Sequence, residues 1–383
     1  MQSGASLVTE SHFEIVPVQS GADMRRFIEF PYDLYRNDRF WVAPLRSDEK
    51  KLLDTSKHPF WKRAEMHCFL ALSDGKVCGR IAAIDDLAHN RATDERVGTF
   101  GFYESIDSES VAQALFQSAR RWLAERGLTT LRGPLNPSIN YECGLLVEGF
   151  DSSPCIMMTY NPPFYARLLE SVGLHKAKDL FAYRLKPGET YEARWARLSR
   201  AVKLLSKSSV RIRPMRPDRF EAEVDAVWKL HSSAWRQNWG ASPLTREEIQ
   251  YLARQLKAVL IPDLALIAEI GDQPIGFGLC VPDMNQPLKH ARGSLFPLGL
   301  LKILYFKSKI TTVRVLALGV ADQYRDLGVG AQLYANLVQK GLKLGYTEAE
   351  CSWVVEDNAA MNRSLEFLGA ERYKTYRIYE SSL

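Results

Sequence analysis

The sequence lacks several features that mark large classes of protein. Its six cysteines lie far apart, no Cys-x-x-Cys occurs and no histidine stands at zinc-ligand spacing, so neither a metal site nor a disulfide framework is indicated. No run of about 18 uninterrupted apolar residues occurs, which argues against a membrane span. The first six residues have neither the basic start nor the apolar run of a signal peptide, so we expect a cytoplasmic chain with reduced cysteines.

A large excess of charge of one sign is also absent. Lysine and arginine number 50 against 45 acidic residues, and the net charge of +5 permits an anionic partner without requiring one. We expect no nucleic-acid partner. Of the 383 residues, 46% are hydrophobic and 25% are charged, which excludes an intrinsically disordered chain. At about 150 residues per domain, the length favours two domains.

Two halves of similar length carry the same order of predicted elements. Each half starts with a strand and a helical segment, continues through a hairpin that turns at residues 74–75 or 271–272, and ends on a strand. The repeat predicts an α/β (α+β) chain with two tandem copies of one fold, each a twisted mixed sheet flanked by helices. We place them at residues 10–186 and 210–383.

Residues 187–209 are predicted to form a basic helix that connects the halves. Its cations are Arg194, Arg197, Arg200, Lys203 and Lys207. A solvated connecting helix and a cationic binding surface both fit this pattern.

A strand, a glycine-rich turn and a helix follow one another at residues 313–344. Free backbone N–H groups and the positive end of the helix dipole converge at such a turn, which makes it an anion site suited to a pyrophosphate. Gly328 and Gly330 let phosphates approach the backbone closely. Arg325 can add a charge-assisted hydrogen bond.

The turn resembles the phosphate loop Gln/Arg-x-x-Gly-x-Gly/Ala of the GNAT superfamily of acyl-CoA-dependent N-acyltransferases. Arg325, Gly328 and Gly330 match it, and a helix that starts near Asn358 follows at the family's distance. The resemblance implies acyl-CoA as co-substrate and no metal. It also implies that the strand before the loop pairs with the pantetheine arm. The residues assigned to acyl-CoA are Leu318, Gly319, Val320, Arg325, Gly328, Val329, Gly330, Ala331 and Asn358.

The chain departs from the family at two places. Leu365 stands where many members have the tyrosine that protonates the leaving thiolate, and Tyr373 is a nearby substitute. The first half has no phosphate loop, because its corresponding turn, residues 103–110, carries carboxylates that would repel phosphates. The first half is therefore predicted to be a degenerate copy.

Across residues 10–380 the chain resembles the tandem-GNAT YghO-like bacterial family. Residues 133–150, 160–165 and 282–285 carry this likeness. Some members act as bacterial ceramide synthases, which join a long acyl chain to the amine of a sphingoid base. The resemblance implies an N-acyltransferase that takes its acyl group from acyl-CoA or acyl carrier protein and transfers it to a primary amine, with a lipid amine as the narrower prediction.

An apolar insertion at residues 282–312 bears on the acceptor side. Its lysines cluster towards its C-terminal side, which fits an element that lies peripherally on the inner membrane surface or covers an alkyl chain, and equally a lid docked on the core. Asp283 and His231 are candidates to take the amine proton, although a turn cap and a packed histidine explain them as well. The predicted acceptor-binding residues are Asn140, Tyr141, Glu142, Trp235, Phe296 and Leu300.

The stretch at residues 133–150, which contains the three acceptor candidates from the first half, fits a structural loop that plugs a dead active site equally well. Two other functions stay open. One is a catalytically inactive sensor of acyl-CoA or a membrane-surface binding module, which the missing tyrosine favours. The other is a Fem-type aminoacyl transferase, against which the intact pyrophosphate loop argues.

Overall fold

A computed structural model describes residues 13–186, 188, 191–197, 200, 209–235 and 238–383. Its strands are β1 (Phe13–Pro17), β2 (Ala64–Ser73), β3 (Lys76–Asp86), β4 (Val97–Ser105), β5 (Thr130–Gly133), β6 (Leu135–Asn136), β7 (Glu142–Cys143), β8 (Leu145–Glu148), β9 (His175–Leu185), β10 (Val210–Pro214), β11 (Ala265–Ile270), β12 (Gln273–Pro282), β13 (Thr312–Val320), β14 (Glu348–Val355) and β15 (Glu371–Ser382).

The helices cover both faces of these strands. They are α1 (Gly21–Leu34), α2 (Arg46–Leu52), α3 (Leu87–Thr93), α4 (Glu109–Ala124), α5 (Tyr165–Ser171), α6 (Phe220–Ala234), α7 (Arg246–Leu256), α8 (Asn285–Ala291), α9 (Gly299–Lys307), α10 (Val329–Lys343) and α11 (Ala359–Leu368). Short 3₁₀ turns lie at Pro59–Lys62, Pro217–Arg219, Pro262–Leu264 and Asp322–Leu327. In the predicted connecting helix, residues 191–197 are helical, while Lys203 and Lys207 lie outside the described residues.

Almost all the strands belong to one continuous sheet, which confirms the mixed α/β architecture. Its order is β1-β2-β3-β4-β5-β15-β9-β14-β13-β12-β11-β10, with β8 also paired to β15. The steps from β4 to β5 and from β13 to β14 are parallel, and the other neighbours are antiparallel. Counted from the two edges towards the centre, the strands therefore follow the same order on both sides, β1 to β5 and then β15 on one side, and β10 to β14 and then β9 on the other.

The two halves exchange their final strands at that centre. β15, from the end of the chain, pairs with β5 of the first half and with β9. β9, from the end of the first half, also pairs with β14 of the second half. The predicted boundary at residue 186 follows β9 in the sequence, but the sheet continues across it.

Helices of the second half pack on opposite faces of its strands. Leu230 of α6 contacts Ile267 and Phe277 on one face. Leu333 and Leu337 of α10 pack on the other face. Gly278 of β12 allows this close approach, because a Cβ there would lie 2.8 Å from Leu337 Cδ1.

A buried ionic network also joins the halves. Arg63 of the first half donates from Nε to Glu248 Oε2 of α7 at 2.9 Å and from Nη1 to Asp86 at 2.5 Å. Ser242 Oγ donates to the second oxygen of Asp86 at 2.9 Å. Each buried charge in the network has a charged partner. This pairing offsets the free-energy cost of removing the charges from water.

Tyr379 tests the exchange of strands, because it belongs to the second half by sequence but lies fully buried in the core of the first half. We expect Tyr379→Ala to lower the free energy of unfolding by about 3 kcal/mol or more. Hydrogen exchange should then quicken in β4 and β5. Tyr305→Ala, at a tyrosine that is 60% exposed, is the control and should cost less than about 0.5 kcal/mol. Unchanged protection of β4 and β5 would contradict the exchange.

Candidate active site

The parallel strands β13 and β14 separate part-way along their length. Their ladder runs from Thr312 and Glu348 to Val315 and Cys351 and ends there. β13 continues to Val320 with β12 as its neighbour, whereas the end of β14 pairs with β9. Bulges in the pairing of both strands accompany the divergence, and bulges bend strands. Among the described strands, none pairs with this edge of β13 beyond Val315.

Leu318, Gly319 and Val320 lie on that open segment. Their other edge pairs in register with β12, which fixes the strand in place. An unpaired strand edge is a template for main-chain hydrogen bonds, and an amide-bearing pantetheine arm can use it as an added strand would.

The predicted phosphate loop lies directly beside this edge. A 3₁₀ turn ends at Gly328, whose φ of 66° lies in the left-handed region, and α10 begins at Val329. The backbone N–H of Gln332 donates to Gly328 O at 3.1 Å, so the N–H groups of Val329, Gly330 and Ala331 have no acceptor within the helix. No side chain caps them and no acidic residue stands in the first turn. The helix end is thus suited to an anion.

Gly330 links the anion site to the open strand. A Cβ there would lie 3.7 Å from Leu318 Cδ2, so the first turn of α10 faces β13. Arg325 lies on the exposed surface of the turn, where its Nη2 pairs with Asp322 at 2.7 Å. A weak exposed pair of this kind can be exchanged for a phosphate. The loop and the open edge together fit a diphosphate with an extended arm.

Trp235 and His231 form a wall on the other face of β13. A Cβ on Gly319 would lie 2.4 Å from Trp235 Cζ3, so the indole touches the strand. The His231 ring stacks on Trp235 at 4.5 Å. Burial lowers the pKa of His231 to about 4, and its Nδ1 has no hydrogen-bond partner among the described residues. The imidazole is therefore neutral at pH 7.

Glu350 is a candidate site residue that the sequence analysis missed. It precedes the last paired position of β14 and is 2% exposed. Its Oε2 accepts from Ser352 Oγ at 2.9 Å and lies 3.4 Å from Arg314 Nε. Its Oε1 has no partner among the described residues. The only signal in the sequence is a carboxylate inside a strand that is otherwise apolar towards its C-terminal end.

The electrostatics of this face centre on Arg314, which is 3% exposed. Burial raises the pKa of Glu350 to about 7, and Arg314 limits the rise. Glu142, from the first half, behaves alike, because burial and Glu49 raise its pKa to about 7 while Arg314 lowers it. Two carboxyl groups that titrate near neutrality therefore share one buried cation.

Asp283 lies near this cluster but is engaged in structure. Its Oδ1 accepts from Ile156 N at 2.8 Å and from Asn285 N at 3.1 Å. These bonds fasten a loop of the first half to the start of α8. Burial raises the pKa of Asp283. The carboxylate thus serves as the turn cap that the sequence also allowed, and its role as a proton acceptor stays a prediction.

Tyr373 and Asn358 likewise have structural surroundings. The ring of Tyr373 lies 4.3 Å from the Arg184 guanidinium, and burial raises the pKa of its hydroxyl. Asn358 caps α11 by accepting from Met361 N at 3.2 Å. Leu365 is 2% exposed and packs in an apolar cluster, so no acidic hydroxyl occupies the position where the family has tyrosine.

The predicted acceptor residues divide among four places. Asn140 Nδ2 donates to Ser242 O at 3.0 Å and Tyr141 OH donates to Glu248 at 3.4 Å, so both polar groups bind the halves together. Glu142 belongs to the Arg314 cluster, and Trp235 to the wall of β13. Phe296 and Leu300 are 85% and 51% exposed, so the structure does not place them in an enclosed cleft.

We call the gap between β13 and β14 beyond Val315 the wedge. The corresponding gap in the first half, between β4 and β5, is filled. β4 and β5 pair only from Val97 to Thr99. Beyond that point Asn136 Oδ1 accepts from Phe102 N at 2.7 Å, and a Cβ on Gly101 would lie 1.9 Å from Leu135 O. The segment β6 therefore occupies the place that is open beside β13, as the plug interpretation of this loop requires.

The start of α4 is unlike the phosphate loop. Ser108 caps it by accepting from Val111 N at 3.4 Å. Carboxylates of Asp107 and Glu109 surround it and pair with Arg167. A phosphate would meet negative charge here rather than free N–H groups.

An apolar cavity lies between α10 and the sheet, along the paired part of β13 and β14. Val315, Ala349 and Tyr334 line it towards the wedge, and Val338 and Gly341 line it further along α10. A Cβ on Gly341 would meet nothing within 4 Å outside its own helix.

Comparisons with known proteins agree with this geometry. Residues 224–369 match the sequence profile of the Acetyltransferase (GNAT) family. Protein YghO of Escherichia coli (strain K12) is 35% identical over 369 residues, covering 94% of this chain and 93% of that protein. The chain belongs to the GNAT family. Members of the GNAT family use acyl-CoA as co-substrate and an amine as acceptor.

Two further likenesses concern the tandem arrangement. Bacterial ceramide synthase of Caulobacter vibrioides is 34% identical over 383 residues, covering 98% of this chain and 99% of that protein. A tandem GNAT protein from the clavulanic acid biosynthesis pathway has a TM-score of 0.57 at 14% identity, over 97% of this chain and 98% of that one. The predicted tandem-GNAT fold and the resemblance to the YghO-like family are confirmed.

Metal-binding groups and membrane-spanning helices are both absent from the described ranges. No group of three or more His, Cys, Asp or Glu side chains there is arranged to hold a metal ion. No helix in those ranges is long and apolar enough to cross a membrane.

Gly328→Glu tests the anion site of this GNAT protein. The carboxylate would meet the phosphates at the start of α10, so we expect coenzyme A binding, measured by calorimetry, to weaken at least about tenfold. Gly345→Glu is the matched control, because Gly345 also has a positive φ, 88°, but follows the other end of α10. Equal losses in the two variants would show that backbone strain, and not phosphate repulsion, is responsible.

Proposed function

We propose that this protein transfers a long acyl chain from acyl-CoA or acyl carrier protein to the primary amine of a lipid, such as a sphingoid base. The observation that carries the proposal is the open edge of β13 beside the uncapped start of α10. These two features suit the arm and the diphosphate of coenzyme A, and the arm alone suits a carrier protein. The Caulobacter relative is named a ceramide synthase, which supports the lipid amine.

The apolar cavity supports a long acyl chain. Val315, the last paired residue of β13, is part of its lining, so we expect an acyl chain attached to a thioester in the wedge to enter the cavity past this residue. Its lining is almost entirely apolar, which favours methylene groups over water.

The reaction we propose is a direct attack without an acyl-enzyme. The amine nitrogen bonds to the thioester carbon, the carbon–sulfur bond breaks, and coenzyme A leaves as a thiolate that takes a proton from water. Backbone N–H groups at Leu318 to Val320 polarise the carbonyl oxygen. Glu350 takes the proton of the attacking amine through its unpartnered Oε1, and its pKa of about 7 suits a base at neutral pH.

A direct assay tests the proposal. The purified protein is incubated with palmitoyl-CoA or acetyl-CoA and a sphingoid base, and thiol release is followed together with the product mass. We expect the long-chain amide, formed faster from palmitoyl-CoA. Binding of coenzyme A without thiol release from either donor would favour an acyl-CoA sensor, for which the aliphatic Leu365 argues.

Glu350→Gln tests the base. The amide keeps the hydrogen bond with Ser352 but cannot accept the proton, so we expect kcat to fall about 100-fold or more. In the native protein, kcat/KM should rise with pH through about 7, because a carboxyl with a raised pKa becomes a base only above that pKa. This rise of kcat/KM with pH should be absent in Glu350→Gln. The control Glu371→Gln removes an exposed carboxylate and should leave rate and profile unchanged.

Gly341→Leu tests the acyl cavity. A leucine would project into the void on a well-formed helix, so we expect the preference for palmitoyl-CoA over acetyl-CoA to fall at least about tenfold. The rate with acetyl-CoA in the same variant serves as the internal control. An unchanged preference would place the acyl chain elsewhere.

A further inference from the structure

The predicted insertion forms a helical hairpin, and Gly293 in its turn accepts a hydrogen bond from the backbone N–H of Arg46 of the first half at 3.2 Å. α8 and α9 pack on each other, and the His290 ring stacks on Phe306 at 3.7 Å. Within α9, only Gly299 and Ile303 are buried. Ile303 joins Met284 and Ala291 in a small apolar cluster. The rest of α9 is therefore not a lid docked on the core.

The outer side of this hairpin carries an unusual density of exposed apolar side chains. Within residues 295–305, seven large apolar side chains are more than 40% exposed, and six of these are more than 50% exposed. They are Leu295 at 41%, Phe296 at 85%, Leu298 at 57%, Leu300 at 51%, Leu301 at 62%, Leu304 at 60% and Tyr305 at 60%. Single exposed leucines are ordinary, but a contiguous patch of this kind marks an interaction site.

The charge along this segment of the chain has one sign. Between Asp283 and Asp322 the sequence contains no aspartate or glutamate. Over residues 284–310 it contains Lys289, Arg292, Lys302, Lys307 and Lys309. In the described residues, none of these five cations forms an ion pair with a carboxylate. A segment that combines exposed apolar side chains with such cations complements an apolar layer with anionic head groups.

We infer that residues 295–309 are a docking surface for an anionic lipid bilayer. The exposed leucines and aromatic rings enter the boundary between head groups and acyl chains, and the lysines remain at the phosphates. A second copy of the chain is a poorer occupant, because a two-fold contact would set Lys302, Lys307 and Lys309 against the same lysines. The inference does not depend on the proposed reaction.

Vesicle co-sedimentation of the full chain tests the inference. Native protein should bind vesicles of phosphatidylcholine with phosphatidylglycerol at least about tenfold more tightly than phosphatidylcholine alone, and high salt should reduce the difference. Leu301→Ser/Leu304→Ser should lower binding to both vesicle types about tenfold or more. Lys302→Glu/Lys307→Glu should remove the preference for the anionic lipid.

Matched variants elsewhere on the surface give the controls. Phe367→Ser replaces an apolar side chain that is 49% exposed on α11, and Lys343→Glu reverses an exposed cation on α10. Both should bind vesicles like native protein. Coenzyme A binding should stay unchanged in all variants, which separates loss of docking from loss of the donor site. No preference of native protein for anionic vesicles, or a dimer that Leu301→Ser/Leu304→Ser dissociates, would overturn the inference.

Discussion

The antiparallel ladder between β9 and β15 joins two partial sheets at the centre of the molecule. β9 has its other edge on β14, and β15 has its other edge on β5. Each half therefore completes its sheet with the last strand of the other, and the aromatic ring of Tyr379 enters a core that the first half builds. Because strand pairing and core packing both cross the repeat, the halves depend on each other for stability.

The same exchange shapes the site. It brings loops of the first half over the face of the second that carries Glu350, where Ile156 N donates to Asp283 and the Ile156 carbonyl accepts from Arg314. The same guanidinium lowers the pKa of Glu142 of the first half. A single GNAT copy would have left Arg314 and Glu350 more open to water. Their burial by the first half raises the pKa of Glu350 towards neutrality, since the carboxylate loses hydration that one cation only partly replaces.

The two wedges show how one fold supports one binding site and one structural joint. Both parallel steps diverge after a short ladder, at Val315 in the second half and at Thr99 in the first. In the first half the main chain of Leu135 and the side chain of Asn136 fill the gap. In the second half the gap stays open, and a helix with free N–H groups begins beside it. We therefore propose that the first half contributes walls rather than a second donor site.

Local sequence determined the elements and the glycine-rich turn that we propose as the anion site, because hydrophobic period, turn residues and a glycine at positive φ act over a few neighbouring residues. Gly328, Gly330 and the strand before them were predicted on those grounds. Tertiary structure alone decided the exchange of β9 and β15, because the two strands lie almost 200 positions apart and either could have paired within its own half. It also decided that Tyr141 binds Glu248 rather than a free acceptor, and that Glu350 loses its water. Burial depends on what packs from elsewhere in the chain, which no local pattern records.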